Sequence, residues 1–150
     1  MLATMTIRRM DNVSIVFNDL DAAVAFFEEL GLKVEGRGTV EGPWVDRILG
    51  LTNVRSDIVM LRTPDGHSRL ELAKYQTPAA ITIEPRVIPP NTLGMHRLMF
   101  AVENIDDVVA RLSTHGATLI GEIVQYANQY RLCYLRGPEE IIVALAEELR

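Results

Sequence analysis

One cysteine, one tryptophan and three histidines are scattered through 150 residues. A single thiol cannot form an intrachain disulfide. Cys133 lies in the run Tyr-Arg-Leu-Cys-Tyr-Leu, with no His or Lys close by in sequence to lower its pKa, so it reads as a packed thiol and not a nucleophile. No apolar run approaches the roughly 18 residues that a membrane span needs. No charged-then-apolar leader opens the chain, and a cytoplasmic location is the expectation. Nor is there a basic block or a basic amphipathic stretch. With a net charge of −5 and a pI near 5.2, a broad nucleic-acid footprint is excluded as the expected role. What remains is an ordinary globular balance, 48% hydrophobic and 23% charged, sufficient for the core of one compact domain or of two fused half-domains.

The chain repeats itself. Residues 12–31 (NVSIVFNDLDAAVAFFEELG) and 97–116 (RLMFAVENIDDVVARLSTHG) align without a gap, matching at Asp21/Asp106, Val24/Val109, Ala25/Ala110 and Gly31/Gly116. Each copy opens on a β-rich run, Val13 to Phe17 or Leu98 to Val102. A capping side chain follows, Asp19 or Asn104. Apolar residues then recur at helical spacing: Leu20, Ala23, Val24, Phe27 and Leu30, or Ile105, Val108, Val109 and Leu112. Gly31 and Gly116 supply the left-handed residue that ends each helix.

Three strands follow in each half. The first half predicts them near Lys33–Arg37, Asp57–Arg62 and Arg69–Lys74, with Thr63-Pro64-Asp65-Gly66 as a turn. The second half predicts Thr118–Val124, Tyr130–Arg136 and Ile141–Leu145, with the turn at Gly137-Pro138-Glu139-Glu140. The fold class is therefore α+β: two tandem βαβββ modules, 11–75 and 94–150, whose paired sheets form a curved sheet around a cavity with the helices outside. Residues 76–93, carrying Pro78, Pro85, Pro89 and Pro90, are the connector. Glu41–Val54 has no counterpart in the second half and predicts a short helix at one end of the sheet. The first ten residues are a weakly patterned lead-in. The acid-rich tail from Glu139 to Glu148 reads as the solvated rim of the last strand.

Strand alternation assigns the faces. Val13, Ile15 and Phe17 are core, as are Leu98, Phe100 and Val102, Leu70 and Leu72, and Val143 and Leu145. Asn12, Ser14, Val16, Glu71, Arg97, Met99 and Ala144 then face the cavity.

The segments DNVSIVFNDLDAAVAFFEELGLKV, TPDGHSRLEL, GMHRLMFAVENIDDVVARLSTHGA and GPEEIIVAL resemble the vicinal-oxygen-chelate superfamily. That superfamily includes glyoxalase I, extradiol dioxygenases and bleomycin resistance proteins. The resemblance covers nearly the whole chain, so 1–150 is expected to be a single domain of this type. It implies a small-molecule ligand, a homodimer and, in metal-using members, four ligands: a His or Gln opening the first strand of each half and a Glu on the last strand of each half. In this chain those positions hold Asn12, Glu71, Arg97 and Ala144. Only Glu71 is a standard ligand, and Arg97 stays protonated and repels a cation.

The expectation is therefore a small-molecule-binding protein with a degenerate metal site and no cofactor. The alternative is a metal-dependent glyoxalase-type lyase, isomerase or dioxygenase, with a divalent ion on Glu71, His96 and Asn12. His96 enters that set only through a one-residue slip of its strand, or a local bulge. His67, in a turn, and His115, near a helix end, read as surface residues.

Glu71 and Arg97 are expected either to pair and neutralise each other or to act on a ligand. In the second case Arg97 grips an anionic or carbonyl oxygen with its planar fork, and Glu71 serves as a general base. Met99, Trp44, Tyr130 and Tyr134 are candidate ligand-binding walls. Trp44 lies in the unmatched insertion and reads either as a lid contact or as a packing anchor beside Gly42-Pro43.

Overall fold

The computed structural model describes residues 6–150; of the lead-in, 1–5 lie outside the described residues, and 6–10 form neither strand nor helix. The chain order is β1 (Val13–Val16), α1 (Leu20–Leu30), β2 (Lys33–Glu41), α2 (Pro43–Leu49), β3 (Arg55–Arg62) and β4 (Arg69–Thr77), then β5 (Arg97–Val102), α3 (Ile105–Ser113), β6 (Thr118–Tyr126), β7 (Tyr130–Arg136) and β8 (Ile142–Glu148). Both halves build a four-stranded sheet of the same order, β1-β4-β3-β2 and β5-β8-β7-β6. In each, the first strand pairs parallel with the last, and the remaining pairs are antiparallel. This is the expected α+β pair of tandem βαβββ modules.

Several boundaries move. β4 runs on to Thr77, so the irregular connector is 78–96. Both β2 and β6 are nine residues long and carry a register shift, between Val34/Gly36 and between Ile120/Val124. The insertion does form a helix, α2. Its Asp46 carboxylate accepts from the backbone N–H groups of Asn53 (3.0 Å) and Val54 (2.8 Å) and so closes the loop behind it.

Asn104 caps α3 as expected, its Oδ1 accepting from the Asp107 N–H at 3.1 Å. The helix itself ends on right-handed Thr114, and Gly116, at φ +85°, turns the chain just beyond. The tail is not a solvated rim. Ile142 to Leu145 are at most 3% exposed, and Glu147 Oε1 accepts from the Ile105 N–H at 2.8 Å, a second cap on α3.

Packing divides the chain differently from the repeat. Residues up to Leu20 join Gly31–Ala80 in one compact unit, and Asp21–Leu30 join Ile81–Arg150 in the other. α1 therefore belongs by contact to the second unit. Phe27 is fully buried and meets Phe26 edge-on (centroids 5.1 Å) and Phe100 (6.4 Å). Arg111 of α3 donates to the Glu29 backbone carbonyl at 2.8 Å and to its carboxylate at 3.2 Å. In the first unit Phe17, Val59, Leu61 and Leu72 are buried to 2% or less. In the second, Val143, Leu145, Leu135 and Cys133 share one sheet face with Phe100, and burial pushes the Cys133 thiol pKa up, as expected of an inert thiol. Phe17, Leu70, Leu72, Val143 and Leu145 are buried as the alternation predicts. Val13, Ile15, Leu98, Phe100 and Val102 are half-buried.

Candidate functional site

In the first unit, β1 and β4 run parallel with Ser14 opposite Glu71, so both side chains leave the same face. The Ser14 hydroxyl donates to Glu71 Oε1 at 3.2 Å. Glu71 is half-buried, and its antiparallel neighbour is Met60. Asn12 lies just before β1 and donates its amide to Asp11 Oδ2 at 2.9 Å, while Arg69 pairs with Glu35 at 3.1 Å. Trp44, in the first turn of α2, is 56% exposed, and its ring lies over the α-carbon of Gly42, where an added Cβ would meet it at 3.6 Å.

In the second unit, β5 pairs with β8 from Arg97↔Ile142 to Val102↔Glu147 with no register shift. β7 continues each row: Ile142↔Arg136 and Ala144↔Tyr134. Arg97, Met99, Tyr134, Arg136, Ile142 and Ala144 thus share the face away from Phe100, Leu135 and Leu145. Arg97 Nη1 donates to the Tyr134 hydroxyl at 2.5 Å, and its guanidinium carbon is 5.4 Å from the ring centroid. The side chain therefore spans β8 across the position of Ala144, whose methyl leaves it room. Tyr134 is not merely a wall; its hydroxyl fixes where the cation sits. Met99 and Tyr130 are exposed on the same face. His96 precedes β5, and its Nε2 lies 2.5 Å from the Leu93 carbonyl.

One residue of this face escaped the sequence reading. Arg136 donates from Nη2 to the Ile88 carbonyl of the connector at 2.6 Å, whereas its Nη1 is buried with no hydrogen-bond partner among the described residues. Alternation along β7 puts Arg136 on the face of Tyr134, but the row it shares with Arg97 is set by pairing through β8, which the sequence alone does not fix.

At the four positions where a metal set was implied, the side-chain groups are an amide, a carboxylate, a guanidinium and a methyl group, and the last two offer a metal no lone pair. Glu71 and Arg97 have hydrogen-bond partners within their own sheets. Among the described residues no group of three or more His, Cys, Asp or Glu is placed to hold a metal ion, and no helix is long and apolar enough to cross a membrane.

A sequence model described as the Glyoxalase/Bleomycin resistance protein/Dioxygenase superfamily matches residues 11–134. Among solved structures, a glyoxalase family protein from Bacillus cereus is 54% identical over the whole of both chains, with a TM-score of 0.94. A glyoxalase/dioxygenase from Nostoc punctiforme is 16% identical over 100% of this chain and 97% of its own, with a TM-score of 0.69. The trypanothione-dependent glyoxalase I of Leishmania major is 20% identical over 95% and 88%, with a TM-score of 0.65. The last two likenesses show the fold alone. No curated protein matches the chain.

Proposed function

The chain belongs to the Glyoxalase/Bleomycin resistance protein/Dioxygenase superfamily, and we propose that within it the protein binds a small organic molecule through its own side chains, without a metal cofactor. The observation that carries this reading is the bond from Arg97 to Tyr134. It holds a permanent cation at a position where related metal-using proteins present a neutral donor, and Ala144 brings no carboxylate beside it. A cation at that place repels a divalent ion and attracts an oxygen-bearing ligand.

Arg97, Tyr134 and Met99 are the binding residues proposed on the second sheet, with Tyr130 further along the same face. On the first unit, Asn12 and Trp44 are proposed as contacts and Glu71, oriented by Ser14, as the general base if a reaction occurs. A homodimer and a cytoplasmic location complete the proposal.

The test is metal analysis of untagged protein purified without chelator, then offered Mg, Mn, Fe, Co, Ni and Zn. We expect less than about a tenth of an equivalent of each. Near one equivalent, lost in Glu71→Ala, would make the chain a metal-dependent lyase, isomerase or dioxygenase of the glyoxalase type instead.

A further inference from the structure

We infer that the helix-free face of the second sheet recognises a carboxylate carried on an apolar body, gripped between Arg97 and Arg136. The inference deepens the proposed function and rests on it. Arg97 and Arg136 sit in one cross-strand row, each paired with Ile142. Their side chains leave the same face two strands apart, about 10 Å between backbones. Arg97 leans across β8 to Tyr134, which lies two residues before Arg136 on β7 and on the same side, so the Arg97 guanidinium reaches the strand that carries Arg136.

Among the described residues neither cation has a carboxylate partner. The arginine ion pairs of the described residues use Arg9, Arg55, Arg69, Arg111 and Arg131, although the chain holds 20 acidic residues against 15 basic ones. A buried guanidinium N–H without an acceptor is rare, because arginine cannot shed its proton to lower the cost. Arg136 Nη1 is such a group.

The geometry selects the anion. Arg97 has committed Nη1 to Tyr134, and Arg136 has committed Nη2 to Ile88. The Nε–Nη2 edge of the Arg97 fork and the Nη1 N–H groups of Arg136 remain, a donor set suited to the two oxygens of a planar carboxylate. Nη1 belongs to the guanidinium that Nη2 ties to the Ile88 carbonyl, so an oxygen bound to it sits beside the connector. Met99, 46% exposed beside Arg97 on this face, offers an apolar contact that suits a hydrocarbon body.

The experiment titrates the full chain, by NMR and calorimetry, with benzoate and cyclohexanecarboxylate, their primary amides, and inorganic phosphate. The expected result is at least about tenfold tighter binding of each carboxylate than of its amide, with about a tenfold loss in Arg97→Met and in Arg136→Met. Arg136→Lys, which keeps charge without the fork, should lie between. If Arg136→Met fails to fold, Arg97→Met and Tyr134→Phe decide, since each removes one partner of an exposed bond; affinity unchanged in both overturns the inference. Equal affinity for acid and amide also overturns it, and leaves the small-molecule reading intact. Preference for phosphate overturns the carboxylate class. Absence of binding by every organic probe overturns both.

Discussion

The two four-stranded sheets have one strand order and one pairing scheme, yet their equivalent faces carry opposite chemistry. In the first, Ser14 and Glu71 sit side by side as hydroxyl and carboxylate, with Met60 beyond. In the second, the same row reads Met99, Ala144 and Tyr134, and the flanking row carries Arg97 and Arg136. Duplication preserved what the backbone needs, namely the alternation, the strand order and the glycines after the helices. It did not preserve the donors. A superfamily scaffold of this kind keeps its fold while each copy of the half-site is free to change charge.

The largest expected effect concerns which unit owns α1. Phe27 is fully buried among Phe26, Phe100 and the second sheet. Phe27→Ala should cost about 3–5 kcal/mol in chemical denaturation. Hydrogen exchange should speed first in β5, β7 and β8. Protection lost first in β1, β3 and β4 would give the helix back to the sheet that precedes and follows it in sequence.

Next comes the charge contrast between the faces. Ala144→Glu copies Glu71 into the second sheet, beside the Arg97 bond to Tyr134. The new carboxylate should take the guanidinium as its partner and weaken benzoate binding by about tenfold, read by calorimetry. Binding as tight as in the parent would mean that Arg97 is not the receiving group. The reciprocal change, Glu71→Gln, should leave benzoate affinity within about twofold, because Arg97 and Arg136 make the grip on the carboxylate and a general base adds no donor to it. A larger loss would show that the second sheet does not work alone.

The strands were legible because both faces are patterned: Phe17, Leu70, Leu72, Val143 and Leu145 alternate with polar or small residues, and all five are buried. The positions of Glu71, Arg97 and Ala144 followed from the same alternation. The ownership of α1 was not legible. Periodicity states which side of a helix is apolar, but not which sheet receives it, and two similar copies offer the same apolar stripe to either. Nor did Arg136 stand out, because an arginine before a Gly-Pro turn looks like any solvated strand end. Its partner, the Ile88 carbonyl, is a backbone group in an irregular connector, and such groups leave no mark in a sequence. Glu147 was hidden similarly: among Glu139, Glu140 and Glu148 only the fold singles out the one that caps α3.

The smallest expected effect separates two carboxylates that are depressed for different reasons. Asp106 is held below the usual carboxylate range chiefly by its hydrogen bonds from Arg131, with Oδ2 at 2.5 Å and Oδ1 at 3.1 Å. In the first unit Asp57 is lowered chiefly by neutral donors, the Thr39 hydroxyl at 2.8 Å and the Gln76 amide at 2.7 Å. Each folded pKa lies below the unfolded value. Each group therefore adds stability above the unfolded carboxylate range near 4, and loses it as pH falls through the folded pKa. Asp106 is exposed and Asp57 half-buried at the sheet surface, so the contributions are small. Salt distinguishes them. Raising ionic strength from about 0.05 to 1 M shortens the screening length to about 3 Å. The Asp106 pKa, followed by carbon-detected NMR, should climb towards 4, while that of Asp57 should climb less, because its main partners, a hydroxyl and an amide, carry no net charge to screen and the charges of Arg55 and Lys74 contribute less. Equal drift in both would mean that Arg131 holds Asp106 by geometry alone, and that the ionic character of the second unit stops at Arg97 and Arg136.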